Sequence, residues 1–233
     1  MAEESRNPGT WFDQASAADQ AAAAEREQVT QRALFARVMF LVGVTCGFAA
    51  AGAFIGKDFT GGWMIGAWVV ALALVIASAF LKRPSGMLGM TLLFGVGLFL
   101  GMAVGPVLNT YVQAGSAQVL WQAAGATGLF IAGFGAWGYA TRRDLAPLAR
   151  IAFWALLGLI VFGIVLIFVN IPGGRLIYAI LGLAIFAVWT MFDFQRLRRS
   201  RTGDAAVPIA LGIFLDIFNV FLFFLQIFGG GSR

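Results

Sequence analysis

Two carboxylates stand where carboxylates are costly. The chain has eleven Asp and Glu residues; nine lie in a polar N-terminal arm or in the joints between spans, whereas Asp193 and Asp216 belong to the last two spans, Asp193 directly following the sixth apolar run. A charged carboxylate near the middle of a membrane span costs about 2.5 to 3.5 kcal/mol on insertion scales, so it needs a partner, a proton or water. Asp193 lies six residues before Arg199, near the end of the sixth span, and Asp216 lies nine residues into the seventh. At about 1.5 Å rise per residue their depths differ by roughly 5 Å, so antiparallel neighbouring helices would bring the two carboxyls together. Carboxyls in contact cannot both ionise cheaply, and the pair is expected to share one proton and titrate as a unit. That chemistry is a pH switch built without histidine. Two plainer readings stay open. Asp193 could pair with Arg196 one turn on, and Asp216, whose one polar helical neighbour is Asn219, could make a structural hydrogen bond between helices.

The elements that would position this pair are membrane helices. Of 233 residues, 60% are hydrophobic and 12% charged, against about a quarter charged in an ordinary soluble domain. Seven apolar runs, at 38–55, 63–81, 87–108, 117–140, 148–169, 176–192 and 207–228, are each close to the roughly 20 residues needed to cross a bilayer. Lipid offers no partner to free backbone groups, so the runs must be helices, and the chain is expected to be an all-α integral membrane protein. Residues 1–33 form a polar arm with no signal-peptide pattern, and 34–233 the transmembrane domain. The stretch 15–37 is rich in Ala, Gln, Glu and Arg, good helix formers, and is expected to run into the first span. Of the sixteen Lys and Arg, thirteen fall on the side that holds the N-terminus and three, Lys57, Arg175 and Arg233, on the other. That bias predicts a cytoplasmic N-terminus and an external C-terminus. Gly43 and Gly47, and Gly97, Gly101 and Gly105, recur every four positions and are expected to let helices approach closely.

Composition also excludes chemistry. There is no histidine, which removes the commonest metal ligand and general base and with them serine-histidine hydrolysis. Lys57 and Lys82 lie outside the spans, which excludes a retinal Schiff base. Cys46 is the single cysteine and reads as a packing residue. Basic residues separated by apolar runs argue against nucleic acid. Intramembrane aspartyl proteases carry Gly-x-Gly-Asp, and here Asp216 follows Gly212-Ile-Phe-Leu. No enzyme activity, no cofactor and no resident metal are expected, although calcium could rest transiently between Asp193 and Asp216.

The same residues carry a family resemblance. Leu211-Gly-Ile-Phe-Leu-Asp216-Ile-Phe-Asn219-Val-Phe resembles the last helix of the Bax inhibitor-1 family, whose Asp-x-x-Asn-x-Phe core is specific. Phe192-Asp193-Phe194-Gln195-Arg196-Leu197 is similar to that family's Tyr-Asp-Thr-Gln-Arg-Ile pattern, with Phe194 in place of Thr. Tyr139-Ala-Thr-Arg-Arg-Asp144-Leu matches its basic joint between the fourth and fifth helices, preceded by Ala123, Thr127 and Phe130. The resemblance covers the chain from about Leu34 onward. It implies six helices around a central seventh and a pH-sensitive calcium leak governed by paired aspartates, here Asp193 and Asp216. It also implies a cytoprotective or stress-response role and, in bacterial relatives of the inner membrane, regulation of a membrane-bound ATP-dependent protease. Asn219, Gln195 and Arg196 are the supporting residues, and the basic partner of the aspartates would be Arg83 or Lys82. The second span, Val69-Val-Ala-Leu-Ala-Leu74, lacks the acidic residue many relatives carry.

The leading expectation is therefore a slow, proton-regulated cation leak, in which deprotonation of the pair loosens the last two helices. The alternative is a non-conducting interaction protein whose arm engages a membrane-bound protease while the aspartates fix helix packing.

Overall fold

A computed structural model describes residues 8–80, 86–200 and 205–230, with side chains from Val29 onward. Among the described residues there are seven helices and no strand: α1 (Pro8–Gly56), α2 (Gly62–Phe80), α3 (Gly86–Gln113), α4 (Ala117–Ala140), α5 (Ala146–Phe168), α6 (Gly174–Arg199) and α7 (Ala206–Gly230). All seven contain a stretch long and apolar enough to cross a membrane, that of α1 being Val29–Gly56. The chain is an all-α integral membrane protein. Its outward faces fit a lipid setting, since Trp63, Trp68, Leu72, Ile151, Trp154, Ile164 and Phe168 are exposed, an apolar surface that water would not leave uncovered.

The helix ends follow local chemistry. α1 is already helical at Pro8, the first described residue, earlier than residue 15. α6 continues past the apolar run through Gln195 and three arginines before Ser200 caps it in extended conformation. Cationic residues in a last turn complement the helix dipole, so the charges extend the helix instead of ending it.

Packing is closest between α1 and α3, which run parallel. Cβ atoms at Gly97, Gly101 and Gly105 would strike the backbone carbonyls of Thr45, Ala49 and Ala53 in turn. Small residues on successive turns thus let two backbones touch, which is how helices associate where lipid supplies no hydrophobic drive. Gly52 and Gly56 of α1 meet Leu98 and Met102 in the same way. Gly43 and Gly47, expected to do likewise, face open space. A four-residue spacing defines a helix face without saying which neighbour it meets.

α7 packs against α6, α4, α1 and α3, while α2 lies chiefly on α3 and α5 on α6. The last helix therefore has four principal neighbours, with α2 and α5 flanking. Its buried residues Val207, Ile209, Ala210 and Ile213 join Leu34, Val38, Leu41 and Leu93 in one core cluster.

Candidate functional site

Asp193 and Asp216 are both buried, at 5% and 4% exposure. α6 and α7 meet antiparallel, and three contacts fix their register. The Asp193 carboxylate lies directly over Gly212, where a Cβ would strike its Oδ2. Thr190, one turn before Asp193, lies beside the Asp216 carboxyl, and the Phe223 ring covers Gly182. Gly212 and Asp216 are one turn apart on the same face of α7, so the two carboxyls are neighbours across the helix pair, within electrostatic reach. The bare Cα of Gly212 makes room for the first carboxyl beside the second.

No hydrogen bond or ion pair joins another described residue to either carboxyl in good geometry. Thr190 Oγ1 faces Asp216 without the alignment of a hydrogen bond, and both Thr190 Oγ1 and Asp216 Oδ2 are buried without a partner. A buried polar atom left unpaired costs about 1 to 3 kcal/mol, so the arrangement is held at a cost that packing alone would avoid. Asn219, on the same helix, turns away from Asp216, its Nδ2 donating to the Leu215 carbonyl at 2.7 Å, so the neighbour placed for a hydrogen bond between helices is Thr190. Arg196 is exposed and forms no ion pair with Asp193, although its charge still reaches that carboxyl. Arg83 and Lys82, the basic partners suggested by resemblance, lie outside the described residues.

Gln195 has a different task from its neighbour Asp193. Its side chain, 1% exposed, donates to the Arg143 carbonyl at 2.6 Å and accepts from the Leu145 amide at 3.0 Å. One amide thereby closes the α4–α5 joint onto the end of α6. Arg198 adds donors to the Ala140 and Thr141 carbonyls at the end of α4, and Arg199 pairs with Asp144 at 2.8 Å on the surface. The Arg199 hydrogen bond, helped by the Ala146 amide, holds the Asp144 carboxyl below the usual carboxylate range. Thr190, Gly212 and this clasp were not singled out from sequence. Thr190 and Gly212 are three and four residues before the two aspartates and share a face with them, but the contacts that give them a task are made across to the other helix.

The profile described as "Inhibitor of apoptosis-promoting Bax1" matches residues 31–233, almost the whole described membrane domain. The chain belongs to the Bax inhibitor-1 family. Among relatives of this Bax inhibitor-1 protein, an uncharacterized protein of Deinococcus radiodurans is 32% identical over 172 residues, covering 70% of this chain and 71% of the relative. The inner membrane protein YbhL of Escherichia coli is 26% identical over 178 residues, covering 72% and 74%. An uncharacterized protein of Helicobacter pylori is 26% identical over 165 residues, covering 70% and 71%.

Beyond the aspartates, α7 carries one continuous stripe. Gly212, Asp216, Asn219, Phe223 and Gln226 recur at intervals of three and four and share a face. Asn219 opens on a lateral cleft of about 550 Å³ between α2 and α5, lined also by Leu72, Leu159 and Phe218. Gln226 opens on a vestibule of about 600 Å³ at the far end of the bundle, with Tyr111 and Arg175. Phe223 lies between them, its ring 5.7 Å from Tyr178 and 5.8 Å from Phe186.

Proposed function

We propose that this Bax inhibitor-1 protein is a pH-responsive cation leak, with calcium as cargo and the Asp193 and Asp216 carboxyls as both sensor and cation contact. The observation that carries this reading is the pair itself: two carboxyls, buried and adjacent, with no ion pair to either among the described residues. Such a pair holds one proton. Its loss puts two like charges together in a site of low dielectric, which drives α6 and α7 apart and frees the oxygens for a divalent ion. The stripe on α7 supplies the route, and Phe223 closes it in this conformation. The arginines at the end of α6 would slow cations at the mouth, so the flux is a leak. The role is non-enzymatic. With the YbhL name as support, we place the chain in a bacterial inner membrane, and with the bias of its Lys and Arg as support we place the N-terminus in the cytoplasm.

The test is calcium entry into liposomes, read with a trapped dye from pH 5 to 8. Flux should rise with pH in the native protein and lose its pH dependence in Asp216→Asn. Liposomes as tight as empty ones for both proteins would refute the leak. The second reading, an interaction protein regulating a membrane-bound ATP-dependent protease or a stress response, would then take its place. It is favoured by the continuation of α1 well beyond its apolar stretch.

A further inference from the structure

α1 packs on α3 and α7, and α4 packs on α6 and α7. Between α1 and α4 this leaves a groove of about 570 Å³ at the arginine-rich end of the bundle. Its walls are apolar and low: Ala132, Gly135 and Ala136 on α4, Phe35 on α1, and Phe194 of α6 as the floor, its ring filling the notch at Gly135. At the mouth stand the Arg32 guanidinium and Tyr139, whose ring meets Phe35 edge-on at 5.6 Å. Arg32 makes no ion pair among the described residues, and Tyr139 makes no side-chain hydrogen bond among them. From Tyr139 to Ala132 the α4 wall drops seven residues, about 10 Å along the helix, into the depth occupied by acyl chains.

We propose that this groove is a binding site for one anionic phospholipid of the leaflet facing the basic end, with its phosphate on Arg32 and the Tyr139 hydroxyl and an acyl chain along Ala132 to Ala136. Charge complementarity selects the occupant. Donors gather at the headgroup level over a wholly apolar slot, a match for a lipid and a poor one for a peptide, whose backbone would find no partner below the mouth. Basic pockets between helices on the cytoplasmic side are a recurrent way to hold anionic headgroups. The occupant would rest on Phe194, adjacent in sequence to Asp193, so a lipid would brace the segment of α6 that carries the first carboxyl. The proposal does not rest on the leak reading.

The experiment is native mass spectrometry of the full chain in mild detergent, titrated with phosphatidylglycerol or phosphatidylcholine of identical chains. The native protein should retain one phosphatidylglycerol with a preference of about fivefold, the factor a single Arg contributes at a membrane surface. Arg32→Gln should abolish the preference and keep weak binding of both lipids. Ala136→Phe, which fills the slot from an exposed position, should abolish the retained lipid altogether. Arg175→Gln, at the opposite end, should change nothing. Equal retention of the two lipids by the native protein would overturn the proposal, and so would equal losses in Arg32→Gln and Arg175→Gln, which would mean diffuse surface charge.

Discussion

A methyl group added at Gly212 would drive into the Asp193 carboxylate, which makes this glycine the most direct probe of the pair. Gly212→Ala should separate α6 from α7 at the level of the aspartates and destabilise the bundle by about 1 to 3 kcal/mol, the usual cost of overpacking. In liposomes it should raise calcium flux at pH 5 towards the native value at pH 8, because the added methyl does what charge repulsion otherwise does. A variant that unfolds at a lower temperature yet keeps native flux and native pH dependence would refute the coupling between contact and leak. Asp144 supplies the control. Its carboxyl is held below the usual range, so its contribution is present above that range and is lost only as pH falls through the lowered value. Asp144→Asn should therefore leave the response between pH 5 and 8 intact. Asp193 and Asp216 were legible in the sequence because a carboxylate in a membrane span is conspicuous. Gly212 and Thr190 were not, since a glycine and a threonine in a membrane helix are ordinary and only the facing helix gives them a task.

The helix scale adds the barrier. On α7 the polar positions Asp216, Asn219 and Gln226 share a face that Phe223 interrupts, with Gly182 accommodating its ring. Phe223→Ala should raise calcium flux several-fold at every pH while keeping the pH dependence that the aspartates impose. Removing any buried Phe costs about 3 to 5 kcal/mol, so a matched variant is needed. Phe214, equally buried on α7 and packed with Ala71, Val96 and Leu100 on another face, serves: Phe214→Ala should destabilise similarly without raising flux. Equal increases in both would mean general loosening, and no increase in either would remove Phe223 from the route. Seven spans could be read from hydropathy, and α4 falls at the expected bounds, 117–140, because polar joints flank it closely. α6 runs seven residues past the end of its apolar run, because hydropathy marks where lipid begins and ends, whereas a helix ends where its backbone does. The glycine stripe of α3 was placed correctly and that of α1 was not, because spacing carries no information on the partner helix.

At the scale of the whole molecule, α1 joins the bundle to what lies beyond it. Its 49 residues would span about 70 Å at 1.5 Å each, more than twice the roughly 30 Å of hydrocarbon. The part before Val29 therefore stands clear of the apolar stretch, as a single helix continuous with a span that is locked to α3 by backbone contact. A helical arm continuous with a packed span suits engagement of a partner at the membrane surface, and it separates the two functional readings physically. Deleting residues 1–28 stops short of Arg32 and of every core residue of α1, of which Leu34 is the first. Such a deletion should leave calcium flux, its pH dependence and the retained anionic lipid unchanged, while abolishing cross-linking to a membrane-bound ATP-dependent protease in cells. If flux disappears together with cross-linking, the arm is part of the conducting unit and the division fails. If cross-linking survives the deletion, the partner reads the bundle itself, and Arg198 and Arg199 at the α4–α5 joint become the surface to mutate.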